Sequence, residues 1–208
     1  MFSAVTAAHH IPDYSQDHEQ SYILEFTASI TKGKFLDIGA FHPTNLSNTR
    51  ALYELGWSGV MVEPSPAPML TLMKEYGTNP RITLLQSIVI SGQEGGCRQM
   101  AITDGPYSTS DEQNYNKWNG YAGFYANLMI PVIPLKALLQ LGPFDFIDID
   151  VEGGSKDLFV EMLNLNVRPK CVCVEYDSHR AEIEARAKAS NYTQVYSNPV
   201  NIIFARND

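Results

Sequence analysis

The sequence predicts an α/β fold: a mostly parallel sheet with helices on both faces and an antiparallel hairpin at its end. Three observations lead there. Apolar runs of strand length alternate with segments of helical period, as in strands joined by crossover helices. The last two runs, 192–196 and 201–205, are separated by the turn residues Ser197, Asn198 and Pro199, so they pair as a hairpin. Hydrophobic residues make up 44% and charged residues 18% of 208 residues, which suits one domain with a sizeable core. A single domain over 1–208 is expected, with no linker and no internal repeat.

Strands are expected at 34–38, 59–62 and 82–90. A helix at 46–55 has Ser47 or Thr44 as its cap and ends at Gly56. Glu63-Pro64 stops the second strand, and Pro66 opens a helix at 66–76, matching the preference of proline for the first turn. Residues 98–103 read as an added strand. The segment 104–128 has no clear period and reads as an insertion loop with about one helical turn. Its aromatics Tyr107, Tyr115, Trp118, Tyr121, Phe124 and Tyr125 argue against plain disorder. A short helix at 134–141, a strand at 144–149, a helix at 155–163, a strand at 170–175 and a helix at 179–190 complete the alternation. Residues 1–22 read as an N-terminal arm or lid, in which His9 and His10 lack partners and are expected to be solvated.

The net charge of −8 disfavours bulk binding of a phosphate backbone, and residues such as Arg168 and Lys170 form no basic run. Cys171 and Cys173 alternate with valines, as buried strand thiols do. With Cys97 they fit a reducing compartment better than a zinc site. No basic leader with an apolar segment opens the chain, and no apolar stretch reaches membrane length. A soluble, cytoplasmic protein without a membrane span is the expectation.

Ligands of open α/β sheets bind beyond the carboxyl ends of the strands. Those ends carry Asp37, Gly39, Ala40, Phe41 and His42; Glu63, Pro64 and Ser65; Gln86 and Ser87; Asp148, Asp150, Val151 and Glu152; and Glu175 and Asp177. Gly39 removes a side chain where backbone must approach a ligand, and the helix that follows aims its amides at the same spot. The dinucleotide pattern G-x-G-x-x-G is absent, since Gly39 is followed by Ala40, Phe41, His42 and Pro43. A pyrophosphate therefore lacks its cradle, and an adenosine ligand without one fits better. Glu63 ends the next strand, near the spacing (roughly 20 residues) at which an acid grips ribose hydroxyls.

These residues carry a resemblance. The stretch from Phe35 to Pro43, then Leu46-Ser47-Asn48-Thr49, Gly56-Trp57-Ser58-Gly59, Val62-Glu63-Pro64-Ser65-Pro66 and the run from Phe144 to Gly153 resemble the FkbM family of S-adenosylmethionine-dependent methyltransferases. The similarity spans 34–176. It implies a Rossmann-like class I methyltransferase fold with seven strands, the last reversed. It also implies methyl transfer, often to a hydroxyl oxygen of a sugar or natural product. By the resemblance, Asp37, Gly39 and Ala40 line the methionine part of the cofactor. Glu63 holds the ribose, and Gln86 and Ser87 lie near the adenine. Asp150, Val151 and Glu152 border the transfer site. Phe41, Ser47, Pro64 and Ser65 complete the expected cofactor set. The chain departs from the family at Asp148, where Lys is frequent, at Ser155, where an acid is frequent, and at 104–128, which has no counterpart.

A hydroxyl acceptor needs a general base near its proton. Asp150 and Glu152 are the first candidates, followed by Glu175 and His42, and neighbouring carboxylates should raise one another's pKa. Glu152 also reads as an acid stabilised by a helix N-terminus. A divalent cation on Asp148, Asp150, Glu175, Asp177 and His179 is a less favoured alternative, and no metal is assigned. The run Asp104-Gly105-Pro106-Tyr107 superficially matches the acidic motif of base N-methyltransferases. It precedes the fourth strand, and the position of that motif holds Asp150-Val151-Glu152-Gly153. An O-methyltransferase of a saccharide or small hydroxylated metabolite is expected. A nucleic-acid methyltransferase, a nicotinamide-dependent oxidoreductase and a non-catalytic adenosine-cofactor-binding protein are the alternatives.

Overall fold

A computed structural model describes residues 11–92 and 94–207. His9 and His10, and the first part of the expected arm, lie outside the described residues. The elements run α1 (Glu19–Thr27), β1 (Lys34–Ile38), α2 (Arg50–Glu54), β2 (Ser58–Val62), α3 (Pro66–Tyr76), β3 (Ile82–Leu85), β4 (Ile88–Ile90) and β5 (Gly96–Ile102). They continue as α4 (Glu112–Trp118), β6 (Ala126–Pro134), α5 (Leu135–Leu139), β7 (Phe146–Ile149), α6 (Ser155–Asn164), β8 (Cys171–Glu175), α7 (Arg180–Ala189), β9 (Tyr192–Ser197) and β10 (Asn201–Arg206).

Seven strands form one sheet in the order β3-β2-β1-β7-β8-β10-β9. The pairs from β3 to β8 are parallel, and β10 runs antiparallel to both its neighbours. This is the mostly parallel sheet with a reversed strand in the terminal hairpin that the sequence implies. Strand alternation sorts the side chains to two faces. Leu36, Ile38, Val60, Ile147, Ile149, Val172 and Val174 face one core, which α5, α6 and α7 cover with Leu138, Phe159, Met162 and Ile183. Phe35, Met61, Phe146, Cys171, Cys173 and Ile203 face the other, where Ile23, Leu52, Leu72 and Tyr76 bring in α1, α2 and α3. The two strand thiols are fully buried, as alternation with valine implies.

Three local departures from the sequence reading have physical causes. The run 82–90 is two strands, because the chain leaves the main sheet at Gln86 and Ser87. There Ser87 Oγ donates to the Pro131 carbonyl at 3.0 Å, and β4 pairs with β6 instead. Strand β6 is absent from the sequence reading because Pro131 and Pro134 speak against a strand. Pro131 in fact stands one residue before the β4 ladder begins. Within 104–128 stand α4 and the first residues of β6, and the strands β4, β5 and β6 around it form a second sheet in the order β4-β6-β5. Finally, the arm folds into α1 from Glu19. Glu19 Oε1 accepts from Asn198 and Asn201 Nδ2 at 2.6 and 2.9 Å, and its other oxygen from the Asp17 amide. Asn198 and Asn201 are remote from Glu19 in sequence. Among the described residues no helix is long and apolar enough to cross a membrane.

Candidate active site

A cleft of about 1080 Å³ opens at the carboxyl ends of β1, β2, β7 and β8. Of the residues expected there, Gly39, Phe41, Glu63, Pro64, Ser65, Ser87, Asp150, Val151, Glu152 and Glu175 line it. Asp37, Ala40, Ser47, Gln86 and His42 do not. Asp37 is buried in β1, and its carboxylate accepts from Thr49 Oγ1 at 2.5 Å. Ser47 Oγ accepts from the Arg50 amide, the local cap the sequence allows. Gln86 Nε2 donates to the Pro64 carbonyl. His42 Nδ1 accepts from the amides of Thr44 and Asn45, so it closes a turn.

Gly39 has φ +95, and an added Cβ would stand 1.7 Å from the Asp150 carbonyl oxygen. The space is thus needed for the neighbouring loop. Asp150 N in turn donates to Ile38 O, which locks that loop beside β1. The helix expected at 46–55 begins at Arg50, and Thr49 before it gives its hydroxyl to Asp37. Phe41, held at φ 42, donates its amide to Glu63 Oε2 at 3.0 Å, and Ser65 N donates to Glu63 Oε1 at 2.7 Å. Burial pushes Glu63 up to about 7, against the two backbone hydrogen bonds that lower it.

At the ends of β7 and β8, Asp150 and Glu175 share a hydrogen bond. Burial first, and then the charges of Glu152 and other neighbours, push Asp150 up to about 7. Burial and then Asp150 push Glu175 up to about 10, so near neutrality the shared proton resides on Glu175. Mutual repulsion, expected from the sequence as the cause, ranks second to loss of water. Glu152 Oε2 accepts from Trp118 Nε1 of the insertion at 3.2 Å. That partner, and the cleft position of Lys117, Tyr107 and Gln16, were invisible in the sequence, apart from the aromatic clustering that marks the insertion. Asp148 sits in β7 beside Asp37, with Asn48 Nδ2 on one oxygen, and His179 faces Glu182 at 3.6 Å. Among the described residues no three acidic, His or Cys side chains gather as a metal site.

The family model of the methyltransferase FkbM domain matches residues 37–195. A putative methyltransferase (yhhF) from Escherichia coli superposes with a TM-score of 0.51 at 12% identity, covering 94% of this chain and 89% of its own. A Podospora anserina methyltransferase (PaMTH1) with bound S-adenosylhomocysteine gives 0.49 at 13% identity, covering 93% and 80%. A Burkholderia thailandensis 1,6-didemethyltoxoflavin-N1-methyltransferase with that same nucleoside gives 0.45 at 12%, covering 91% and 78%. No curated protein matches the sequence. The structural likeness bears on the fold, and the domain match covers most of the chain: this protein belongs to the FkbM methyltransferase family.

Proposed function

We propose that the protein transfers a methyl group from S-adenosylmethionine to a hydroxyl oxygen of a sugar or other small hydroxylated metabolite. One observation carries this reading. A single cleft joins Glu63, at the end of β2, to the Asp150–Glu175 pair at the ends of β7 and β8. In the sheet order, β1 alone separates β2 from β7, so these groups stand roughly 10 Å apart, two strand spacings. The chemistry of the lining fits the cofactor. Glu63, Asp150, Glu152 and Asp177 make the cleft acidic, which favours a sulfonium cation over a pyrophosphate. The Glu63 carboxylate, anchored by two amides, would accept from the ribose hydroxyls. Gly39, Phe41, Pro64 and Ser65 would line the cofactor, with Ser87 toward the adenine.

The sulfonium supplies a methyl carbon already activated for displacement. Chain residues then have two tasks, to align the acceptor oxygen in line with the carbon–sulfur bond and to take its proton. On transfer the cofactor would give up its methyl carbon and leave as the thioether, and the hydroxyl proton would pass to Asp150. Asp150 is the base because it titrates near neutrality, whereas Glu175 already holds a proton and orients it. The test is methyl transfer from methyl-tritiated S-adenosylmethionine to a set of methyl hexopyranosides. Label should appear on a free hexoside and not on its fully O-acetylated form. Label on neither would count against the acceptor class.

A further inference from the structure

The strongest unassigned contact joins the insertion to the loop that carries Asp150 and Glu152, and its meaning rests on the methyl-transfer reading above. Helix α4 packs directly onto that loop. Gly153 has φ +82, and a Cβ there would lie 2.9 Å from Asn114 Nδ2 and 3.2 Å from Asp111 Cγ. Asp111 caps α4 by accepting from the Asn114 amide at 2.8 Å. From the end of this helix Trp118 Nε1 donates to Glu152 Oε2. The indole is itself held, with the Tyr107 ring 4.6 Å away between centroids and Lys117 Nζ 4.4 Å from its own ring centroid. Tyr107, Lys117, Trp118 and Glu152 all line the cleft.

We propose that Trp118 is a positioning residue: its indole N–H fixes the direction and the charge of the Glu152 carboxylate beside Asp150, and so ties the insertion to the proton acceptor. The groups facing Glu152 are Asp150 on its own loop, Glu175 and Asp177 at the end of β8, Lys117 and Trp118 on α4, and Tyr107 after β5. Burial raises the Glu152 carboxyl above its ordinary value, the Trp118 hydrogen bond lowers it, Asp177 raises it and Lys117 lowers it. The Glu152 charge in turn raises Asp150. Without the indole N–H, Glu152 takes a proton sooner, repels Asp150 less, and Asp150 ionises at lower pH.

Trp118→Phe keeps the ring and removes the donor. The protein has two tryptophans, and Trp57 is buried in the core, so the emission lost in W118F is that of Trp118. That emission should titrate with a midpoint above the ordinary carboxylate range, and Glu152→Gln should abolish the titration. In the hexoside assay W118F should lower kcat about tenfold, the scale of one lost hydrogen bond to a charged group. KM for S-adenosylmethionine should stay within about twofold, and the acid limb of kcat should move to lower pH. Unchanged kcat and acid limb in W118F would overturn the proposal, as would a Trp118 titration that persists in E152Q. If the wild-type protein methylates no hexoside, the acceptor reading fails by itself. The emission arm then decides on Trp118, since loss of the titration in E152Q supports the contact and its persistence refutes it.

Discussion

Two sets of buried carboxyl groups share a cause of perturbation and differ in access. Asp37 and Asp148 pair across β1 and β7 inside the sheet, beneath the segment 41–49 that supplies Thr49 and Asn48. Glu63, Asp150 and Glu175 stand past the strand ends and line the cleft. Burial is the leading cause in both sets, and Asp37, Glu63 and Asp150 are all pushed up to about 7. A raised pKa by itself therefore does not mark an active-site acid here. What separates the sets is that Glu63, Asp150 and Glu175 line the cleft and Asp37 and Asp148 do not.

The largest effect that can test this difference is at Asp150. Asp150→Asn removes the proton acceptor and should lower kcat by about 10²–10⁴-fold, with affinity for S-adenosylmethionine little changed. In the wild-type protein turnover should rise as pH passes through about 7, where Asp150 ionises. A pH-independent kcat in single-turnover measurements would remove Asp150 from the role. Glu63→Ala comes next and should weaken cofactor binding by about 1–3 kcal/mol, read by calorimetry. Glu175→Gln should be milder, within about tenfold of wild-type turnover, because an amide imitates the protonated form that Glu175 holds up to about 10.

The smallest effect belongs to the enclosed pair. A carboxyl whose folded pKa is raised contributes stability that is fully present below its unfolded value, and that stability is lost as pH rises through the folded value. Asp37 and Asp148 therefore weaken the fold as pH climbs from about 4 through 7, the window set by Asp37. Asp148→Asn should therefore stabilise the fold more at pH 8 than at pH 5, by about 1 kcal/mol or more, the scale of one pKa unit. Denaturant unfolding at the two pH values reads this, and a variant equally destabilised at both would show that the Asp148 carboxylate is needed ionised.

The main sheet was legible because each of its strands is a short apolar run closed by a turn or an acid, such as 59–62 before Glu63-Pro64. The strand ends then located the cleft acids. The insertion was not legible, because Pro131 hides β6 and the ladder that makes it a strand comes from β4 and β5. Asp37 was read as a cleft residue because it ends a strand beside Gly39. Alternation instead turns it toward the face where Thr49, twelve positions away, meets it. Gly39 is expected to let backbone approach a ligand, whereas the space it leaves is taken by the Asp150 backbone. Such partners lie in another element, and a single sequence holds no sign of them.

The central claim is that Glu63 and the acidic cleft hold an adenosine ligand bearing a sulfonium or its thioether product. Titration calorimetry of the full chain with S-adenosylmethionine, S-adenosylhomocysteine and NAD tests it most directly. The account predicts that both sulfur nucleosides bind, that Glu63→Ala weakens both, and that NAD gives no heat. Binding of NAD with no response to either sulfur nucleoside would contradict it.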